Sequence, residues 1–126
     1  MIREIIKNYI IIGLIMIIID GFYLTIIGKP VFSKTVYKIQ NSPLVMKIVP
    51  AIMTYILLVI VLDYFIIKEK KNPIDAFILG LCIYGVFDFT NMAIFKNYTI
   101  KTALIDTLWG GILFYIITSI VYKLKL

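Results

Sequence analysis

Three aspartates, Asp20, Asp88 and Asp106, stand inside long apolar runs that contain no lysine or arginine. An aspartate near the centre of a membrane-crossing helix costs roughly 2.5–3.5 kcal/mol to insert, and each Leu, Ile, Phe or Val returns only about 0.3–0.6 kcal/mol. Carboxylates in such places normally face a bundle interior or a wet cavity and mark a functional site. Without a basic neighbour they must be protonated, hydrogen-bonded or neutralised by a bound cation. Two that come close tend to share one proton. The polar groups at hand are Tyr23, Tyr84, Thr90, Asn91 and Trp109. Tyr84, Asp88 and Asn91 recur at i, i+4 and i+7, and Asp106, Trp109 and Gly110 at i, i+3 and i+4, so each set follows one helix face. The candidate proton- or ligand-binding cluster is therefore Asp20, Tyr23, Tyr84, Asp88, Thr90, Asn91, Asp106 and Trp109. The same residues also fit a hydrogen-bonded polar core whose only task is to hold helices together.

The elements that must position these side chains follow from composition. Of 126 residues, 62% are hydrophobic and 16% charged, with a mean hydropathy of +1.02. A soluble domain is roughly 45–50% apolar and about 25% charged, and a chain this short has too little interior to hide the excess. A soluble globule, a disordered tail and a disulfide scaffold are excluded, which leaves an integral membrane protein. Four apolar stretches have the length of a span: 9–27, 48–67, 76–95 and 103–122. They are too long and too continuous for barrel strands. The expected fold is all-α, a single domain formed by a four-helix transmembrane bundle. The first stretch contains Asp20 and leads into Gly-Lys-Pro without a small-residue cleavage site, so it reads as a retained span and not a signal peptide.

Depth can be assigned from each span's midpoint and direction. Taking the side of the 28–47 connection as the far side, Asp20 lies about 3 Å, Asp88 about 4 Å and Asp106 about 10 Å beyond the midplane. Asn91 and Trp109 fall about 8 Å and about 5 Å out on the same side, whereas Asp63 lies roughly 8 Å toward the near side. Asp63 therefore reads as an interfacial residue near Lys68. Gly80, Gly85, Thr107 and Gly111 are small residues that permit close helix approach.

Local signals mark the boundaries. Asn72 suits an N-cap, Pro73 the first helical position and Asp75 the positive end of the helix dipole. Thr99 is the candidate cap of the last span. Ser42-Pro43 suggests that the second helix runs in from Pro43, with Pro50 inside it and a kink at the lost hydrogen bond to Met46. Between spans 1 and 2, Val31, Phe32, Thr35, Val36 and Ile39 share one side of a helical wheel, opposite Ser33, Lys34, Tyr37, Lys38 and Gln40. That pattern predicts a short amphipathic interfacial helix over about 30–41, started by Pro30, with its lysines toward lipid headgroups. A solvated loop is the alternative.

The formal charge is +6, from 13 Lys plus Arg against 7 Asp plus Glu. The basic residues lie between the apolar runs, where anionic headgroups and not nucleic acid are the expected partner. They divide almost evenly between the two sides, and only the density of Lys68, Lys70 and Lys71 leans toward cytoplasmic termini. A plasma membrane is the default compartment. The single cysteine, Cys82, reads as a small packed hydrophobe, and no intramolecular disulfide is possible. No histidine occurs, which removes His-based acid–base catalysis and the usual zinc sites. No metal or phosphate motif is present and no cofactor can be named from the sequence.

Tyr84-Gly85-Val86-Phe87-Asp88-Phe89-Thr90-Asn91, followed by Asp106-Thr107-Leu108-Trp109-Gly110, resembles the two signature segments of the domain-of-unknown-function 2177 family, an uncharacterised group of small membrane proteins. Asp20 and Pro50-Ala51 also fit, so the resemblance covers nearly the whole chain. It departs at Tyr23, where the family pattern has an aromatic that is usually Trp, and at Asn97-Tyr98, where a Trp-Pro-like pair is expected. The resemblance implies a four-span fold in which Asp20, Asp88, Asn91, Asp106 and Trp109 coincide with the pattern, and it carries no activity. Three functions stay open: binding or movement of a proton, cation or small polar or lipid ligand, with a homodimer as the natural way to build a path; a structural or accessory subunit; and a lipid-modifying enzyme. Without a catalytic constellation, binding ranks first and the enzyme last.

Overall fold

A computed structural model describes residues 1–125, and all regular structure among them is helical. Helix α1 spans Ile2–Tyr23 and passes through a π-helical turn, Leu24–Gly28, directly into α2, Lys29–Gln40. An irregular connection leads to α3, Ile48–Leu62, which ends in a second π-turn, Asp63–Ile67. Helices α4, Pro73–Ile94, and α5, Ile100–Lys123, complete the chain. Four helical stretches are long and apolar enough to cross a membrane: Ile2–Gln40, Ile48–Ile67, Pro73–Ile94 and Ile100–Lys123.

The amphipathic helix forms where the pattern placed it, but no loop separates it from span 1. Gly28 and Lys29 keep right-handed helical backbone angles. The Lys29 amide reaches back five residues to the Leu24 carbonyl, and Pro30, which has no N–H to donate, follows at once. A widened turn accommodates the proline ring without breaking the helix. The resulting helix of 39 residues is about 58 Å long, far more than the roughly 30 Å hydrocarbon core. Its second half leans across the far end of α5. Tyr23 pairs with Asp106 and Thr35 with Thr102. The first members of those pairs are roughly 18 Å apart along the helix axis and the second members roughly 6 Å.

Two expectations about the second span are corrected. Residues 43–47 are not helical and α3 begins at Ile48, with Lys47 extended as its N-cap. Pro50 therefore sits in the first turn, where its missing N–H had no intrahelical partner to lose, and causes no kink. The other boundary signals hold. The Asn72 side chain accepts from the Ile74 amide at 3.5 Å, and that of Thr99 accepts from the Thr102 amide at 3.2 Å.

Helix α5 is the hub. Leu113, Phe114, Ile117 and Val121 on it are fully buried against Ile12 and Met16 of α1 and Leu58, Val59 and Leu62 of α3. Its closest neighbour is α4, and Gly80 and Gly110 set that approach. A methyl group on Gly80 would run into the Gly110 carbonyl, and one on Gly110 into the Tyr84 ring. In hydrocarbon, where apolar burial gives helices no reason to associate, such backbone proximity is what holds a pair together. Helix α3 packs on α1, and its main contact with α4 is through its terminal π-turn on the near side. Toward the far side α3 and α4 diverge. Cys82 is exposed on the outer side of α4 and not packed as its apolar context suggested.

Candidate functional site

All four spans contribute to one polar network in the far half of the bundle. Asp20 on α1 is buried, and both of its oxygens are occupied. Tyr55 of α3 donates its hydroxyl to Oδ2 at 2.5 Å, and the Trp109 indole N–H of α5 donates to Oδ1 at 2.8 Å. Trp109 lies flat on Tyr23, with ring centroids 4.5 Å apart and an interplanar angle of 4°. Tyr23, the last residue of α1, donates its hydroxyl to Asp106 Oδ1 at 3.1 Å. Asp106 and Asp88 stand close enough to interact directly. Behind them Asp88 is completely buried and accepts from Tyr98 at 2.5 Å and Thr107 at 3.4 Å. Tyr98 lies in the α4–α5 connection. Burial and then the hydrogen bond to Asp88 hold its phenol above the ordinary range, so it stays a proton donor at neutral pH.

The chemistry of the carboxylates differs with these partners. Asp20 accepts two donors, one on each carboxylate oxygen. Asp88 and Asp106 face one another, and no lysine or arginine stands at the depth of the network. Among the described residues, no group of three His, Cys, Asp or Glu side chains is arranged to hold a metal ion.

Asp20 and Asp106 also face a cavity of about 800 Å³. Tyr23, Tyr84 and the two carboxylates form its polar end; Leu24, Phe32, Leu58, Ile83 and Phe87 form apolar walls; Leu44 and Met46 close over it from the 41–47 connection. Lys29 lines it from the start of α2. Its walls come from α1, α3 and α4, with Leu58 on α3 facing Ile83 and Phe87 on α4 across the space where those helices make little contact.

Of the eight side chains expected in the cluster, the structure brings together Asp20, Tyr23, Tyr84, Asp88, Asp106 and Trp109. Asn91 stands at the margin, beside the Tyr98 hydroxyl. Thr90 is a correction: it is exposed on the outside of α4. Two residues along a helix lead to nearly the opposite side, so Thr90 cannot share a face with Asp88. Asp63 lies apart from the cluster, beside Tyr9 and within electrostatic reach of Lys68. Tyr55, Tyr98 and Thr107 are the additions. Tyr55 was findable, because it sits about 4 Å to the far side of its span's midpoint, at the depth of Asp20. Tyr98 lies outside the apolar runs and gave no such signal.

A family model described as "Predicted membrane protein (DUF2177)" matches residues 5–123. No curated protein and no solved structure matches the chain. With the match running from the first helical stretch to the end of the last, the chain belongs to the DUF2177 family of membrane proteins.

Proposed function

We propose that this protein binds an amphipathic molecule with an apolar body and a cationic head, taken up from the bilayer into the cavity between α1, α3 and α4. The observation that carries this reading is the cavity itself: about 800 Å³, apolar along its walls and ending on Asp20 and Asp106. Its size lies in the range of small-molecule sites, roughly 300–1,000 Å³. A primary or quaternary ammonium at the polar end pairs with carboxylates that have no lysine or arginine at their own depth. Lys29, nine residues from Asp20 and about 13 Å along the helix, is too distant to do so. The lysine density at Lys68, Lys70 and Lys71 favours cytoplasmic termini, and with the plasma membrane as the default compartment the cavity lies in the outer half.

The test is photolabelling in nanodiscs of zwitterionic lipid. A long-chain alkylamine carrying a diazirine is compared with the alcohol and the sulfate of the same chain. The amine is expected to label Leu58, Ile83 and Phe87 in preference to the other two probes. Asp20→Asn should weaken that preference about tenfold, equivalent to about 1.4 kcal/mol, and Ile83→Trp should abolish labelling by filling the cavity. Equal labelling by all three probes would sink the proposal.

A second reading rests on a different observation: every oxygen of Asp20 and Asp88 already accepts a hydrogen bond from another element. On that reading the network is a polar lock in a structural or accessory subunit. It predicts that Asp20→Asn unfolds the bundle and leaves no probe preference to lose.

A further inference from the structure

On the opposite side of α2 from the carboxylate cavity, Lys34 and Lys38 of α2 and Lys101 of α5 line a recess of about 350 Å³. Lys34 and Lys38 are one helical turn apart, so their like charges repel unless something negative lies between them and Lys101. No carboxylate lines the recess. Its floor is a chain of hydroxyls. Thr35 and Thr102, both nearly inaccessible, are 2.9 Å apart, and Thr102 and Thr99 are 2.8 Å apart. Thr99 also accepts the Thr102 amide. Two hydroxyl–hydroxyl contacts consume two of the three hydroxyl protons, and the third meets no acceptor among the described residues. The position of α2 is fixed on both sides of this floor. Phe32 sits edge-on to Tyr98 at 6.3 Å, and the Asn97 side chain donates to the Lys38 carbonyl at 3.1 Å. Three cations thus converge over a buried hydroxyl donor at the level where α5 enters the membrane.

We propose that this recess binds a phosphate group, with Lys34, Lys38 and Lys101 supplying the charge and the threonine chain a neutral donor. Either an anionic lipid headgroup or a free phosphate supplies that chemistry, and lysine serves it as a point charge. The site is independent of the carboxylate cavity, which lies on the other face of α2.

The experiment measures acetylation rates of individual lysines by mass spectrometry on the full chain in nanodiscs of phosphatidylcholine. One arm adds phosphatidylglycerol to the discs and the other adds inorganic phosphate to the buffer. In at least one arm Lys34, Lys38 and Lys101 should slow severalfold relative to Lys68, Lys70 and Lys71 on the opposite side. Protection by phosphatidylglycerol alone identifies the lipid as the source, and protection by inorganic phosphate identifies the free anion. The double substitution Lys34→Gln and Lys38→Gln touches only exposed side chains, and it should return Lys101 to the rate of the control lysines. Equal slowing of all lysines, no slowing in either arm, or a protected Lys101 in the double variant overturns the proposal.

Discussion

Asp20 depends on two donors from two different helices, and they can be tested separately. Trp109→Phe keeps a ring on Tyr23 and removes the N–H that bonds Asp20. Leaving a buried acceptor without its donor costs roughly 1–3 kcal/mol, so thermal unfolding in detergent should show a loss of that order. Tyr55→Phe, which removes the other donor, should cost a similar amount and free the far end of α3. A contrasting case is Thr118, whose hydroxyl is fully buried and has no hydrogen-bond partner. Thr118→Val removes an unsatisfied group at nearly constant volume and should raise stability by about 1 kcal/mol. The carboxylates were legible in the sequence because charge in an apolar run is conspicuous. Their donors were legible only where an aromatic shared a face with an acid. Tyr98 bonds Asp88 from a connection, and neither depth nor periodicity reaches a connection. Thr90 is near Asp88 in sequence but on nearly the opposite side of α4, because two residues turn a helix by about 200°.

Helices α4 and α5 pair through missing side chains. Gly80→Ala places a methyl against the Gly110 backbone carbonyl, and a backbone atom cannot rotate aside. The helices must separate, and an overpacking cost of roughly 1–3 kcal/mol follows. Because Tyr84 covers Gly110, a wider spacing also moves Asp88 away from Thr107, so disulfide trapping of cysteines across the α4–α5 pair should become slower and less selective. Asn72→Ala tests the start of α4 and should cost about 1 kcal/mol by the same unfolding measurement. Capping boxes, prolines and small-residue spacing are local rules, which is why the beginnings of α4 and α5 could be read directly. The continuity of α1 with α2 could not. A proline after Gly-Lys reads as a start signal, and only the compensating π-turn turns it into a passage. Pro50 was misjudged for a related reason: its effect depends on whether the preceding residues are helical, and residues 43–47 are not.

At the scale of the whole molecule, the four apolar runs and the shared half of the membrane were visible in hydropathy and span direction. The unequal roles of the helices were not. Helix α5 buries 44% of its most apolar window and α4 only 11%, though their compositions are alike, because contact with three neighbours is a property of arrangement. The divergence of α3 from α4, which creates the cavity, likewise leaves no trace in either sequence.

The central position of α5 also sets a schedule for biogenesis. It is the last of the four spans to be synthesised, yet it supplies Trp109 to Asp20 and Thr107 to Asp88. Helices α1 and α4 therefore reach the insertion machinery carrying acids that still lack their α5 partners. The first three spans should linger at the translocon or a membrane chaperone until α5 arrives, and ribosome-stalled chains ending before Ile100 should cross-link to that machinery while chains ending after Lys123 do not. In this small bundle the order of translation, as much as the energy of the finished network, governs when the aspartates become tolerable to the bilayer.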